Sequence, residues 1–85
     1  MGEKVFSEKQ GQYLAFVYAY TEINGVPPAE ADLRRYFQTT APTVHSMIKR
    51  LDTLGLVSRV PGKGRTLVIQ VDPNDLPLLR RPRLD

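Results

Sequence analysis

The 85-residue sequence predicts an α+β domain, mainly α, in which three helices are followed by a C-terminal β-hairpin. Three observations carry this expectation. Apolar residues recur at steps of three and four from Tyr13 to Ile23 and again from Val44 to Leu54. Asn24-Gly25 and Leu54-Gly55 interrupt the chain where those two stretches stop. Two β-rich runs, Leu56 to Val60 and Thr66 to Val71, flank the glycine-containing segment Pro61-Gly62-Lys63-Gly64-Arg65.

The first helix begins after Phe6. Ser7 can cap the orphan amides, Gln10 stands at the reciprocal position of a capping box, and Glu8 suits the positive end of the helix dipole. Tyr13, Leu14, Phe16, Val17, Tyr20 and Ile23 then make one apolar face, an aromatic stripe that belongs to the core rather than to a stacking platform for single strands. Asn24-Gly25 supplies a left-handed stop and Pro27-Pro28 prevents continuation. A short second helix, Ala29 to Phe37, turns Leu33, Tyr36 and Phe37 inward and Glu30, Arg34 and Arg35 outward. Gln38-Thr39-Thr40 is a turn. The third helix, from about Thr40 to Leu54, has Thr40 or Ala41 as its cap and Pro42 in its first turn, where a missing amide is harmless. Its core stripe is Val44, Met47, Ile48, Leu51 and Leu54, and Gly55 ends it.

Composition bounds what such a domain can be. This length allows one domain that buries roughly 60–65% of its unfolded surface, too little for a deep enclosed site. With no cysteine and a single histidine, His45, neither a disulfide framework nor a thiolate or histidine-rich metal site is expected, and no cofactor is called for. No apolar run reaches membrane-spanning length, and Met1-Gly2-Glu3-Lys4 lacks the order of a signal peptide, so a soluble cytoplasmic protein is expected. His45 has no carboxylate at helical spacing to orient it, so the chain is not expected to be an enzyme.

Charge is distributed unevenly. Residues 1–33 hold two lysines against five carboxylates, net −3, whereas residues 34–71 hold seven basic side chains against Asp52 alone, net +6. One basic face on a small domain is the footprint of a nucleic-acid binder. Two helices joined by a three-to-four-residue turn make the helix-turn-helix plan, and a basic hairpin directly after them makes it a winged helix-turn-helix. At about 100° per residue, Pro42, Ser46, Lys49 and Thr53 lie opposite the core stripe, with Thr43, His45 and Arg50 on the flanks. Small polar side chains let a helix sit low in a major groove about 12 Å wide. Thr40, Thr43, His45 and Ser46 are therefore the expected base readers. Lys49, Arg50, Arg59, Lys63 and Arg65 are the expected phosphate and wing contacts, with Arg59, Lys63 and Arg65 projecting from the hairpin. The alternative is a winged helix turned protein-interaction module. It would need an apolar outward face, and Ser46, Lys49 and Thr53 argue against one.

Taken in order, Phe6-Ser7-Glu8-Lys9-Gln10, Asn24-Gly25-Val26-Pro27-Pro28, Ala41-Pro42-Thr43-Val44-His45, Lys49-Arg50-Leu51 and Leu54-Gly55-Leu56-Val57 resemble the N-terminal DNA-binding domain of the LexA repressor family, and Pro61-Gly62-Lys63-Gly64-Arg65 resembles its wing. The resemblance covers residues 5–70. It implies a transcriptional regulator on duplex DNA, working as a homodimer on a two-fold site, with the family's base contacts falling on Thr43, His45 and Ser46. The chain departs from that pattern at Ala29, where the family places a serine or threonine cap, and at Gln38, where it places a glycine in a turn one residue longer. Nothing after Val71 matches the family's self-cleaving serine–lysine domain, so a stand-alone module without autoproteolysis is expected. The domain is thus placed at 1–71 and a Pro/Arg-containing tail at 72–85. The tail reads as a mobile terminus, with Leu76, Leu78 and Leu79 able to dock and Arg80, Arg81 and Arg83 able to reach a minor groove.

Overall fold

The computed structural model describes residues 5–82; the expected minor-groove reach of Arg83 and the charges at Glu3 and Lys4 lie outside them. The elements run α1 (Glu8–Asn24), α2 (Glu30–Phe37), α3 (Ala41–Thr53), β1 (Val57–Ser58), β2 (Val68–Ile69) and a single 3-10 turn at Pro73–Asp75. This is the predicted winged helix-turn-helix, three helices with a two-stranded antiparallel hairpin. Among the described residues no helix is long and apolar enough to cross a membrane.

Local chemistry sets the helix ends. At α1 the capping box forms in full: the Ser7 hydroxyl accepts from the Gln10 amide at 3.1 Å, and the Ser7 amide donates to the Gln10 side chain at 2.8 Å. Gly25 closes α1 in the left-handed region (φ 77°). Alanine has no acceptor to cap α2, so only the reciprocal half of a box exists there, the Ala29 amide donating to Asp32 Oδ2 at 2.8 Å. Ala29 itself is extended, and α2 starts one residue later than expected. At the end of α3 the Leu56 amide donates to the Leu51 carbonyl and the Gly55 amide to the Asp52 carbonyl, a Schellman turn around left-handed Gly55 (φ 74°).

One core joins all these elements. Tyr13, Leu14, Phe16 and Val17 of α1 meet Leu33 of α2, Val44, Ile48 and Leu51 of α3, and Leu56, Val57 and Leu67 of the hairpin. Tyr13 stacks flat on Phe37 with ring centroids 4.1 Å apart, and Phe16 packs on Tyr36 at 4.6 Å. Two residues assigned to the core are not in it. Ile23 is 80% exposed, because α1 outruns the much shorter α2 and its last turn has no partner to pack against. Leu54 is 40% exposed, because it caps α3 and the Schellman turn carries Leu56 inward in its place.

The hairpin ladder is shorter than expected. Val57 pairs with Ile69 and Ser58 with Val68, leaving 59–67 as the wing loop. The loop begins with a Val60–Lys63 turn, Pro61 and left-handed Gly62 at its centre, in which the Lys63 amide donates to the Val60 carbonyl. The Thr66 hydroxyl then accepts from the Val60 amide at 2.9 Å and donates to the Lys63 carbonyl at 3.1 Å. Pro61 cannot donate to a ladder, Arg65 is left-handed (φ 57°), and a side chain takes over the cross-strand bonding.

The tail is not a free terminus over residues 72–82. Leu76 and Leu79 pack against the core, although Leu78 points outward at 85% exposure. The Gln12 side chain donates to the Leu78 carbonyl and accepts from the Arg80 amide, each at 2.8 Å, and the Tyr36 hydroxyl donates to the Arg80 carbonyl at 2.9 Å. Gly11 makes room for this docking, since a Cβ there would lie 3.0 Å from the Phe6 ring and 3.1 Å from Pro77.

Two outcomes follow from these local geometries. Gln38 is held at φ 53°, ψ 53°, where a side chain is strained, so Gln38→Gly is expected to raise stability by about 0.5–1 kcal/mol; denaturant unfolding checks it through a higher midpoint at unchanged slope. Gln12→Ala is expected to speed amide exchange at Arg80 and expose residues 78–82 to protease while exchange at Leu14 and Ile48 stays slow.

Candidate nucleic-acid interface

Helix α3 presents two different surfaces. Val44, Ile48 and Leu51 are buried against α1 and the hairpin, whereas Pro42, Thr43, His45, Ser46, Lys49, Arg50 and Thr53 are exposed. Thr40 caps the helix: its hydroxyl oxygen accepts from the Thr43 amide at 3.3 Å and its O–H donates to the Thr43 hydroxyl at 2.9 Å. Its polar atoms are therefore engaged with the helix end, and Thr43 is held by the same pair. The side chains of Ser46 and Lys49 have no hydrogen-bond or ionic partner among the described residues.

The two flanks of the outward face differ. On one, Pro42, Thr43, Ser46 and Arg50 border a shallow groove shared with Gln10 of α1, which brings the capped end of α1 beside the first turns of α3. On the other, His45 and Ile48 face the wing across a cleft of about 370 Å³, whose far wall is Arg59 and Lys63 to Leu67. His45 Nδ1 stands 3.4 Å from Glu30 Oε2, with both side chains about half exposed. The carboxylate missing from the histidine's own helix thus arrives from α2, fifteen residues away in sequence. No local spacing pointed to it.

Pairing reduces the basic surface that the sequence suggests. Arg59 Nε lies 3.2 Å from Asp52 and is largely covered, Arg35 lies 3.3 Å from Asp32, and Arg65 lies 3.3 Å from the other oxygen of Asp32. Arg59 is folded against Asp52, and Arg65, although half exposed, turns back toward the helices instead of standing free of them. Arg34, Lys49, Arg50 and Lys63 are the exposed cations of residues 34–71 that have no partner among the described residues. Asp32 is the centre of the opposing charge. Its carboxyl is held below the ordinary range, first by the Ala29 amide, then by Arg65, with Tyr20 and Arg35 adding to them.

Sequence reasoning missed Gln10, Glu30, Tyr20 and Asp32 as parts of this surface. Asp32 lies in the first turn of α2, and its link to the wing spans 33 residues.

The LexA DNA binding domain family model matches residues 3–66. Over 64 residues the chain is 36% identical to the LexA repressor of Clostridium perfringens (strain 13), covering 74% of this chain and 32% of that protein. It is 30% identical over 64 residues to the LexA repressor of Thermosipho melanesiensis, covering 75% of this chain and 32% of that protein. The chain thus spans about a third of the length of the curated relatives it matches. The family match takes in all three helices, β1 and most of the wing loop, ending just before β2, and the chain belongs to the LexA DNA-binding domain family.

Proposed function

We propose that this chain is a sequence-specific regulator of transcription that binds duplex DNA through the outward face of α3, with the wing on the flanking phosphates. The observation that carries the reading is the division of α3: its inner side is fully packed, and its outer side holds only small or polar groups around Ser46 and Lys49. Such a face can enter a major groove without meeting side-chain bulk, and it lacks the apolar patch that an interaction module would need.

Roles follow from position. Thr43 and Ser46, in the first two turns, read base edges, with His45 at the wing-side flank of the same face. Thr40 acts on the reading surface by fixing the helix start. Lys49 and Arg50, further along, meet the phosphates on either side of the groove. Lys63 does the same at the wing tip, where its side chain is exposed beside left-handed Gly62. Arg59, tied to Asp52, steadies the base of the wing.

One module of this size covers roughly 600–1,000 Å² of DNA interface, thin for selecting a single genomic site, so two copies are proposed to bind a two-fold site. Sedimentation with duplex selected from a random pool checks this, and a strict one-to-one complex on an asymmetric site ends it.

The DNA reading itself is tested by salt titration on the selected duplex, a random duplex and a single strand of equal length. The parent should prefer the selected duplex, and single-strand binding of equal strength contradicts the reading. Lys63→Ala should weaken both duplexes alike and lower the slope of log affinity against log salt by about one. Ser46→Ala or Thr43→Ala should cost about 1–3 kcal/mol on the selected duplex alone and leave the slope nearly unchanged.

A further inference from the structure

Beyond the Arg59–Asp52 pair at its base, the wing is tied to the helices by Arg65. Arg65 NH1 donates to the Tyr20 hydroxyl at 3.1 Å, to Asp32 Oδ2 at 3.3 Å and to the Pro27 carbonyl at 3.4 Å. These three acceptors come from α1, from the first turn of α2 and from the connection between them. A single guanidinium therefore joins the wing to three segments of the helical body. The left-handed backbone at Arg65 (φ 57°) accompanies this turn back toward the helices. The next residue, Thr66, bonds to Val60 and Lys63 across the loop. Residues 65 and 66 thus fix, in succession, where the wing sits and how it is closed.

The partner is built to stay charged. Asp32 is only 15% exposed, and the Ala29 amide holds its Oδ2 at 2.8 Å, the oxygen that also faces Arg65. Ion pairs at a protein surface contribute little when both partners are mobile, but here a carboxylate fixed by its own helix meets a guanidinium with two further acceptors.

We infer that Arg65 is a positioning residue: the Tyr20–Asp32–Arg65 node sets the angle of the wing against α3, and Lys63, not Arg65, meets the phosphate. The inference rests on the reading of the chain as a duplex-DNA binder. It assigns to Tyr20 and Asp32, both on helices away from the reading face, a part in DNA affinity.

The test compares Tyr20→Phe, Asp32→Asn, Arg65→Ala and Lys63→Ala in two measurements. The first is amide hydrogen exchange of the free protein at Val60 and Lys63, the wing amides that are hydrogen-bonded across the loop. The second is affinity across a salt series on the tightest duplex selected from a random pool and on a random duplex of equal length. Asparagine keeps an acceptor for the Ala29 amide and phenylalanine keeps the ring of Tyr20, so both proteins should fold; thermal melts verify it. The three node variants should show faster wing exchange, and Lys63→Ala should not. Tyr20→Phe and Asp32→Asn should weaken binding to both duplexes by about two- to tenfold, the worth of one or two hydrogen bonds, with an unchanged salt slope. The sign at Asp32 is decisive, because the substitution removes a negative charge. If Arg65 instead leaves the node to bind phosphate, Asp32→Asn should tighten binding, and Arg65→Ala should flatten the slope by about one, as Lys63→Ala does. Either result, or unchanged wing exchange in the node variants, overturns the inference. A parent that shows no preference for duplex brings down the DNA reading alone, since the exchange measurement still decides whether the node holds the wing.

Discussion

The domain hangs on the packing of α1 against the corner made by α2 and α3, where the rings of Tyr13 and Phe37 lie parallel at 4.1 Å. A chain this small has a single core, so each part of the molecule is placed by what it touches on α1. The Tyr13–Phe16 side of α1 sets α2 through Phe37 and Tyr36. Val17 and its neighbours receive the hairpin through Leu67. Gln12 and Gly11 receive the tail. Helix α3 has no independent claim to its position: Val44, Ile48 and Leu51 put it where the α1 core leaves room. A shift of α1 would be passed on to the outer face of α3 and to the wing together, because close-packed interiors transmit displacement rather than absorb it.

Where structure is decided by neighbours in sequence, the residues themselves disclosed it. The Ser7–Gln10 box, Gly25, Pro42 in the first turn of α3 and Gly55 at its end were all readable, because each acts within a few residues and for one stereochemical reason. The inner stripe of α3 was readable for the same cause, down to Leu51; it failed at Leu54, where helical periodicity had already ended. Ile23 shows the opposite limit. Its spacing is correct for the α1 face, but spacing says nothing about whether a partner extends that far. The strands were overdrawn because β-rich composition does not reveal that Arg65 is left-handed or that Thr66 replaces ladder bonds with its hydroxyl.

The candidate site was readable in its outward face and unreadable in its pairings. Counting charges along the chain located the basic half of the molecule but could not tell a solvated arginine from a bonded one. Arg59 with Asp52, Arg65 with Asp32 and His45 with Glu30 are separated by 7, 33 and 15 residues, and only the first lies within a turn or two of sequence. The basic character of the surface consequently rests on fewer groups than the composition implies. Its acidic residues matter as much as its basic ones: Glu30 stands at the edge of the outward face of α3 beside His45, and Asp32 engages an arginine that the basic surface would otherwise carry unpaired. With alanine at position 29 in place of a capping residue, the Asp32 carboxylate bonds that helix end through the Ala29 amide, and the same carboxylate also receives the wing.

The docked tail also has a kinetic meaning. Its bonds to Gln12 span 66 and 68 residues of sequence, and Arg80 also stands 3.6 Å from Glu8 at the start of α1. The α2–α3 corner and the hairpin, by contrast, join segments close in sequence. Once α1 has packed on the hairpin at Leu67, the tail adds only its own few contacts, so it is expected to latch after the core has formed and to open before it. Residues 76–82 would then behave as a latch over the core, opening without unfolding what lies beneath.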